Sequence, residues 1–214
     1  MRQLVRSVFA ATLLLSLGAI AHAEDAKPIA PTAAEAKPLK AGEKAPEVVV
    51  RDLTGKDVAL KDLYAESPTA LIFYRGGWCP YCSKHLASLK EAEAGLKELG
   101  FKIVALSTDL PTGGLDTQKQ TGVAYTLLSD SKVEAARAFG VAFQMDAATV
   151  AKYRVYGIKL DETTGESHNV LPVPSVFLID TAGVIRFAQS NPDYEQRISN
   201  EDLLKAAKEV ASKS

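Results

Sequence analysis

Cys79 and Cys82 are the only cysteines in the 214-residue chain, and two residues separate them in the run RGGWCPYC. A bridge between cysteines so close restrains little of the unfolded chain, which makes it a poor structural staple. The spacing suits a redox pair, in which one sulfur attacks and the other, one helical turn on, resolves the adduct. Attack requires a thiolate, and a free cysteine keeps its proton to about pH 8.5. Gly76, Gly77 and Pro80 predict a helix start directly after Cys79, because proline fits the first turn, where no amide hydrogen is needed. Cys79 then meets the unpaired amides and partial positive charge of a helix amino end, which lower its pKa. Arg75 adds charge and Trp78 covers the pair. Zinc would need four ligands, and the pair with His85 supplies three. His85 is expected to be a partly exposed helix residue.

Chemistry of this kind needs a strand before the cysteines and a helix after them. Thr69 to Tyr74, TALIFY, is a continuous apolar run suited to a central strand covered on both faces. After Pro80, Leu86, Leu89, Ala92, Leu96 and Leu99 recur at three- and four-residue steps until Gly100 ends the helix. Phe101 to Ser107 is a second buried strand, and a strand-helix-strand crossover implies parallel pairing. Upstream, Val48–Val50 and Val58–Leu60 flank the turn Thr54-Gly55-Lys56, predicting a hairpin. Downstream, weaker helical signals cover 114–121 and 132–139, while 141–172 is the least legible stretch and reads as an insertion. Ser175–Asp180 and Val184–Ala188 form a strand pair about a tight turn. A last helix runs to Ala211, with Asn200 as its expected cap and Leu203, Leu204, Ala207 and Val210 on its inner face. The fold class is α/β, a central mixed sheet flanked by helices.

The chain's ends and charge bound its surroundings. Arg2 and Arg6, an apolar run over 8–20 and the small-x-small site Ala21-His22-Ala23 form a signal-peptide pattern, with cleavage expected after Ala23. A spanning helix needs about 20 apolar residues, more than this run holds. Residues 24–40 are rich in Ala, Pro and Lys and are expected to be a flexible linker, leaving 41–214 as one domain. Loss of residues 1–23 leaves 23 basic and 26 acidic residues, which argues against capture of nucleic acid. A periplasmic or secreted location is expected. An oxidising compartment would leave the pair bridged unless a dithiol partner recharges it. No cofactor is called for.

FYRGGWCPYC after an apolar strand, GEKAPEVVVRDLTGKDVAL before it and VPSVFLIDTAGVIRF after it resemble the redoxin branch of the thioredoxin superfamily. Within that branch the likeness is greatest to the AhpC/TSA peroxiredoxin-like proteins, and it covers residues 41–211. The resemblance implies a thioredoxin-like fold with an N-terminal β-hairpin, an insertion before a cis-proline strand, and a cis Val173–Pro174 bond beside the cysteines; Pro172 and Pro174 as ordinary strand-entry prolines are the alternative. It also implies a thiol peroxidase that reduces hydrogen peroxide or organic hydroperoxides and is recharged by a thioredoxin-like or membrane-linked dithiol. Peroxiredoxins place a proline seven residues and a threonine or serine three residues before the attacking cysteine, where this chain has Ile72 and Gly76. Their distant arginine that steadies the peroxide has Arg154 or Arg186 as candidates. The tetrapeptide Cys79-Pro80-Tyr81-Cys82 is similar to the glutaredoxin motif, and Trp78 to thioredoxins and the TlpA/ResA-like proteins. Exchange with protein disulfides is therefore the alternative activity. A third reading, copper handling by Cys79, Cys82 and His168, follows from exported copper chaperones of this fold, although those space their cysteines by three residues.

Overall fold

The computed structural model describes residues 27–213; the expected signal peptide lies outside them. The hairpin strands β1 (Val49–Arg51) and β2 (Asp57–Ala59) turn about Asp52, whose Oδ1 accepts the amides of Thr54 and Lys56 at 2.8 and 3.0 Å. After helix α1 (Leu60–Glu66) come β3 (Thr69–Phe73), α2 (Pro80–Glu98) and β4 (Lys102–Ser107). Then follow α3 (Pro111–Thr121), β5 (Thr126–Ser129) and α4 (Glu134–Ala138). The stretch from residue 141 to 172 holds β6 (Ala142–Gln144), α5 (Ala147–Val155), α6 (Leu160–Thr164) and β7 (Val170–Pro172). The chain closes with β8 (Ser175–Ile179), β9 (Ile185–Ser190) and α7 (Asn200–Ala211).

Among the described residues, a seven-stranded sheet has the order β2-β1-β5-β4-β3-β8-β9. β3, β4 and β5 are parallel, as the crossover implies, while β8, β9, β1 and β2 run antiparallel to their neighbours. Every residue of β3 is buried, because helices cover both of its faces. Ala70 and Ile72 pack with Leu86, Leu89 and Leu96 of α2 and Leu203 of α7. On the other face, Leu71 and Phe73 join Phe139 and Phe177, with ring centroids 5.1 to 6.0 Å apart among the three phenylalanines. Burial of such side chains contributes about 1.5–3 kcal/mol each and fixes the strand that aims the site.

Three local expectations change. Segment 27–40 packs on the domain: Ala30 donates to Ala142 O at 3.0 Å and accepts from Gln144 N at 2.8 Å, and Leu39, 7% exposed, donates its amide to Phe139 O. Its isolated apolar residues anchor it one at a time, a pattern that no periodicity reports. The Val173–Pro174 bond is not cis; no cis peptide occurs among the described residues. Val173 donates to Val141 O at 2.8 Å and Pro174 O accepts from Asn191 at 3.1 Å. The chain is drawn out between the small β6–β7 sheet and the main one, which an extended trans link allows. Finally, Ser199 caps α7, its Oγ accepting the Asp202 amide at 3.0 Å, and Asn200 instead donates to Ser88 O of α2 at 2.8 Å.

Candidate active site

The carboxyl end of β3 leads through Tyr74, Arg75, Gly76, Gly77 and Trp78 into α2, whose amino-terminal cap is Cys79 and whose first residue is Pro80. Cys79 is extended, and its carbonyl accepts the amides of Cys82 and Ser83 at 3.0 Å each. This holds both sulfurs on one end of the helix. Both cysteines are free thiols, 2% and 0% exposed.

Their proton affinities diverge. A hydrogen bond from the Cys82 thiol, followed by the Cys82 amide and the charges of Arg75 and Arg197, holds Cys79 down at about 6 against the opposing effect of burial. The same hydrogen bond, with burial, pushes the Cys82 thiol up. Cys79 is the thiolate and Cys82 the proton donor. The neighbouring thiol thus exceeds the helix amino end, which spacing alone put first.

Arg75 is 3% exposed. Its guanidinium lies 4.1 Å from the ring centre of Tyr194, 5.2 Å from that of Trp78 and 5.6 Å from that of Tyr153, and Nη2 donates to the Tyr153 hydroxyl. A cation held over ring faces keeps its charge without a carboxylate to neutralise it. On the other side of the loop, Asp109 is 3% exposed and accepts from Gly77 N at 2.8 Å and Trp78 Nε1 at 3.1 Å. Burial pushes its carboxyl up to about 6, opposed by these two donors. A cleft of about 530 Å³, lined in part by Trp78, Asp109, Thr117 and Lys159, adjoins the loop.

The sequence pattern of the AhpC/TSA family matches residues 41–188. The chain belongs to the AhpC/TSA family. Its fold is similar to reduced Prx3 from Vibrio vulnificus, with a TM-score of 0.65 and 18% identity over 79% of this chain and 99% of that one. It is also similar to Peroxidoxin BcpB from Mycobacterium tuberculosis, with 0.62 and 20% identity over 80% and 98%. Among curated relatives, the thiol-disulfide oxidoreductase ResA of Bacillus anthracis is 36% identical over 76 residues, 36% of this chain and 43% of that protein. Peroxiredoxin Bcp of Escherichia coli K12 is 31% identical over 104 residues, 49% of this chain and 66% of its own length. The chain thus spans less than half of ResA and just under two thirds of Bcp.

Against the AhpC/TSA pattern, the residues expected at the site fall into two groups. Trp78 and Arg75 lie around the cysteines. Arg154 pairs with Asp161 at 2.7 Å and Arg186 with Asp180 at 2.7 Å, both arginines half exposed. Pro174 is buried in the link between the two sheets. His85 is 7% exposed rather than partly exposed, and burial and Arg197 bring it down to about 4, a neutral imidazole. His168 is occupied at both ring nitrogens, Nε2 at 2.9 Å from Ser131 O and Nδ1 accepting from Val170 N. Among the described residues no group of three metal-ligating side chains converges. Sequence reasoning missed Asp109, Arg197, Tyr153 and Tyr194. Asp109 carried a signal, since it follows β4 at the carboxyl end of the parallel strands, where sites collect.

Proposed function

We propose that this chain is an exported thiol peroxidase that uses Cys79 as the attacking sulfur and Cys82 as the resolving one. The observation that carries this reading is a thiolate-favouring Cys79 that is only 2% exposed. A hydroperoxide is small enough to reach such a sulfur, whereas a protein disulfide must bring a bulky sulfur in line with it. The Cys79 thiolate attacks the outer peroxide oxygen, the O–O bond breaks, and the departing alkoxide or hydroxide takes a proton; Cys79 becomes sulfenic acid. Arg75, whose charge already acts on Cys79, meets the charge developing on the departing oxygen. Cys82 then displaces water from the sulfenic acid, and an external dithiol reduces the bridge.

The second reading is thiol-disulfide exchange. It is favoured by the similarity to ResA and by Gly76, where no hydroxyl stands to orient peroxide. The test mixes reduced protein with equimolar hydrogen peroxide and follows thiol loss in wild type, Cys79→Ser and Cys82→Ser. Rapid loss that Cys79→Ser abolishes, with a trappable sulfenic acid in Cys82→Ser, supports the peroxidase. Thiols that survive minutes of peroxide yet quickly reduce insulin disulfides transfer the assignment to disulfide exchange. The export half of the reading rests on the leader pattern over residues 1–23 and predicts a mature chain beginning at Glu24, checked by mass spectrometry of protein from the cell envelope.

A further inference from the structure

Arg197 lies 115 residues after Cys82, yet its Nη2 donates to Cys82 Sγ at 3.4 Å. The contact is built by the β9–α7 connection. Asn191 Oδ1 accepts the Asp193 amide and Asp193 Oδ1 the Glu195 amide, both at 3.0 Å, folding the loop back on itself. Arg197 Nη1 ties down its own loop through the carbonyls of Tyr194 and Gln196, and Ile198, 6% exposed, anchors the next residue in the core. The guanidinium is thereby held against a sulfur that is 0% exposed.

We propose that Arg197 is a catalytic residue of the resolving step, its guanidinium carrying the negative charge of Cys82 while that sulfur attacks the oxidised Cys79. The proposal rests on the reading of Cys79 as the attacking sulfur and deepens it. In the resting pair Cys82 holds the shared proton, so the resolving sulfur begins as a buried neutral thiol, a poor nucleophile. Once Cys79 is a sulfenic acid, its thiolate is gone and the hydrogen bond that kept Cys82 protonated goes with it. Cys82 then gives up its proton, attacks the Cys79 sulfur, and an S–S bond forms as the S–O bond breaks. The oxygen leaves as water, using that proton. The Cys79 sulfur is reduced and the Cys82 sulfur oxidised, so no further oxidant is needed.

The charges around Cys82 are few. Arg75 contributes a backbone N–H, Cys79 the coupled sulfur and Arg197 a cation. His85, on the same helix, faces Arg197 but stays neutral. Its Nε2 and the Nε of Arg197 are both buried without a hydrogen-bond partner among the described residues. Among the described residues no carboxylate pairs with the guanidinium, and the neutral imidazole adds no second cation beside the sulfur. The charge of Arg197 acts on both sulfurs, and its direct donor is on Cys82.

The first arm of the test needs no peroxide. In Cys79→Ser the sole thiol is Cys82, and its ionisation is read from thiolate ultraviolet absorbance across pH with Arg197 intact, Arg197→Lys and Arg197→Met. Loss of a cation at this range moves ionisation upward by about one pH unit or more, with Arg197→Lys between. An unmoved titration in folded Arg197→Met overturns the assignment; Arg197→Gln repeats it should the Met chain fail to fold. In the second arm, Arg197→Met with both cysteines is oxidised by peroxide, and the ratio of dimedone-trapped sulfenic acid to disulfide rises about ten-fold as thiolate falls. An unchanged ratio in a chain that reacts with peroxide also overturns it. If the titration moves but wild type ignores peroxide, the peroxidase reading fails alone and Arg197 keeps its role in resolving a mixed disulfide.

Discussion

The carboxylate of Asp109 grips the indole of Trp78, taking Nε1–H at 3.1 Å on one oxygen while the other takes the Gly77 amide at 2.8 Å. One buried acid thereby fixes both the backbone and the aromatic cover of the segment leading to Cys79. It does so without a cation, so ionising it in the folded chain is resisted by burial.

Asp109 binds its proton more tightly folded than unfolded, since its pKa rises to about 6. Its protonation therefore favours the folded state. The stability it contributes is full below pH 4, near the ordinary aspartate value, and is lost as pH rises through about 6. Asp109→Asn removes this dependence, and its amide must turn a donor toward either Gly77 N–H or Trp78 Nε1–H, costing about 1–3 kcal/mol. Urea unfolding at pH 4, 5.5 and 7 should show the difference between wild type and variant narrowing as pH rises. A constant difference would count against this account of Asp109.

Gly76 cannot host the hydroxyl that the peroxiredoxin pattern places there. Its φ is +156°, and a Cβ would stand 2.2 Å from Trp78 Nε1 and 2.8 Å from both Asp109 oxygens. Gly76→Thr, which restores the family residue, should lower the rate with peroxide and cost about 1–3 kcal/mol of stability. A stopped-flow measurement with a thermal melt checks both; a faster, stable variant contradicts the geometry.

The thiolate of Cys79 should set the pH profile. With its pKa lowered to about 6 by the Cys82 thiol, deprotonation raises reactivity. The rate with iodoacetamide or peroxide should fall about ten-fold per pH unit below 6 and level off above 7. Cys82→Ala removes the main cause of the shift and should move the inflection upward. An inflection that stays in place in Cys82→Ala would mean that the helix end and arginines suffice.

The cysteine loop was readable because glycines, proline and helix periodicity are local signals that agree. The same holds for β3, whose unbroken apolar run is the mark of a strand covered on both faces. Segment 141–172 was not readable, since α5 buries none of its residues and α6 spans only Leu160–Thr164. A helix that buries nothing, like one of only five residues, leaves no apolar stripe. Yet that segment delivers Tyr153 to Arg75. Arg197 had no local mark either: it reaches Cys82 by the path of the β9–α7 loop, which only the folded chain defines. The cis bond expected at Pro174 came from the resemblance alone, and the extended link between two sheets replaces it.

The packed segment over 27–40 makes the last prediction. A free tether would tolerate any substitution, but Leu39 is 7% exposed among the residues that surround Phe139. Behind it the chain also runs against Gly140, at φ +70°, where a Cβ would meet Lys37 O at 2.1 Å. Leu39→Ala leaves a cavity in that cluster and should cost about 2 kcal/mol or more in urea unfolding. Gly140→Ala strains a left-handed backbone and pushes the segment off, so it should also destabilise, by about 1 kcal/mol or more. Both lie on the face of the sheet away from α2 and should leave the reaction of Cys79 with iodoacetamide unchanged. Unaltered unfolding midpoints in both variants would return residues 27–40 to the role of a tether.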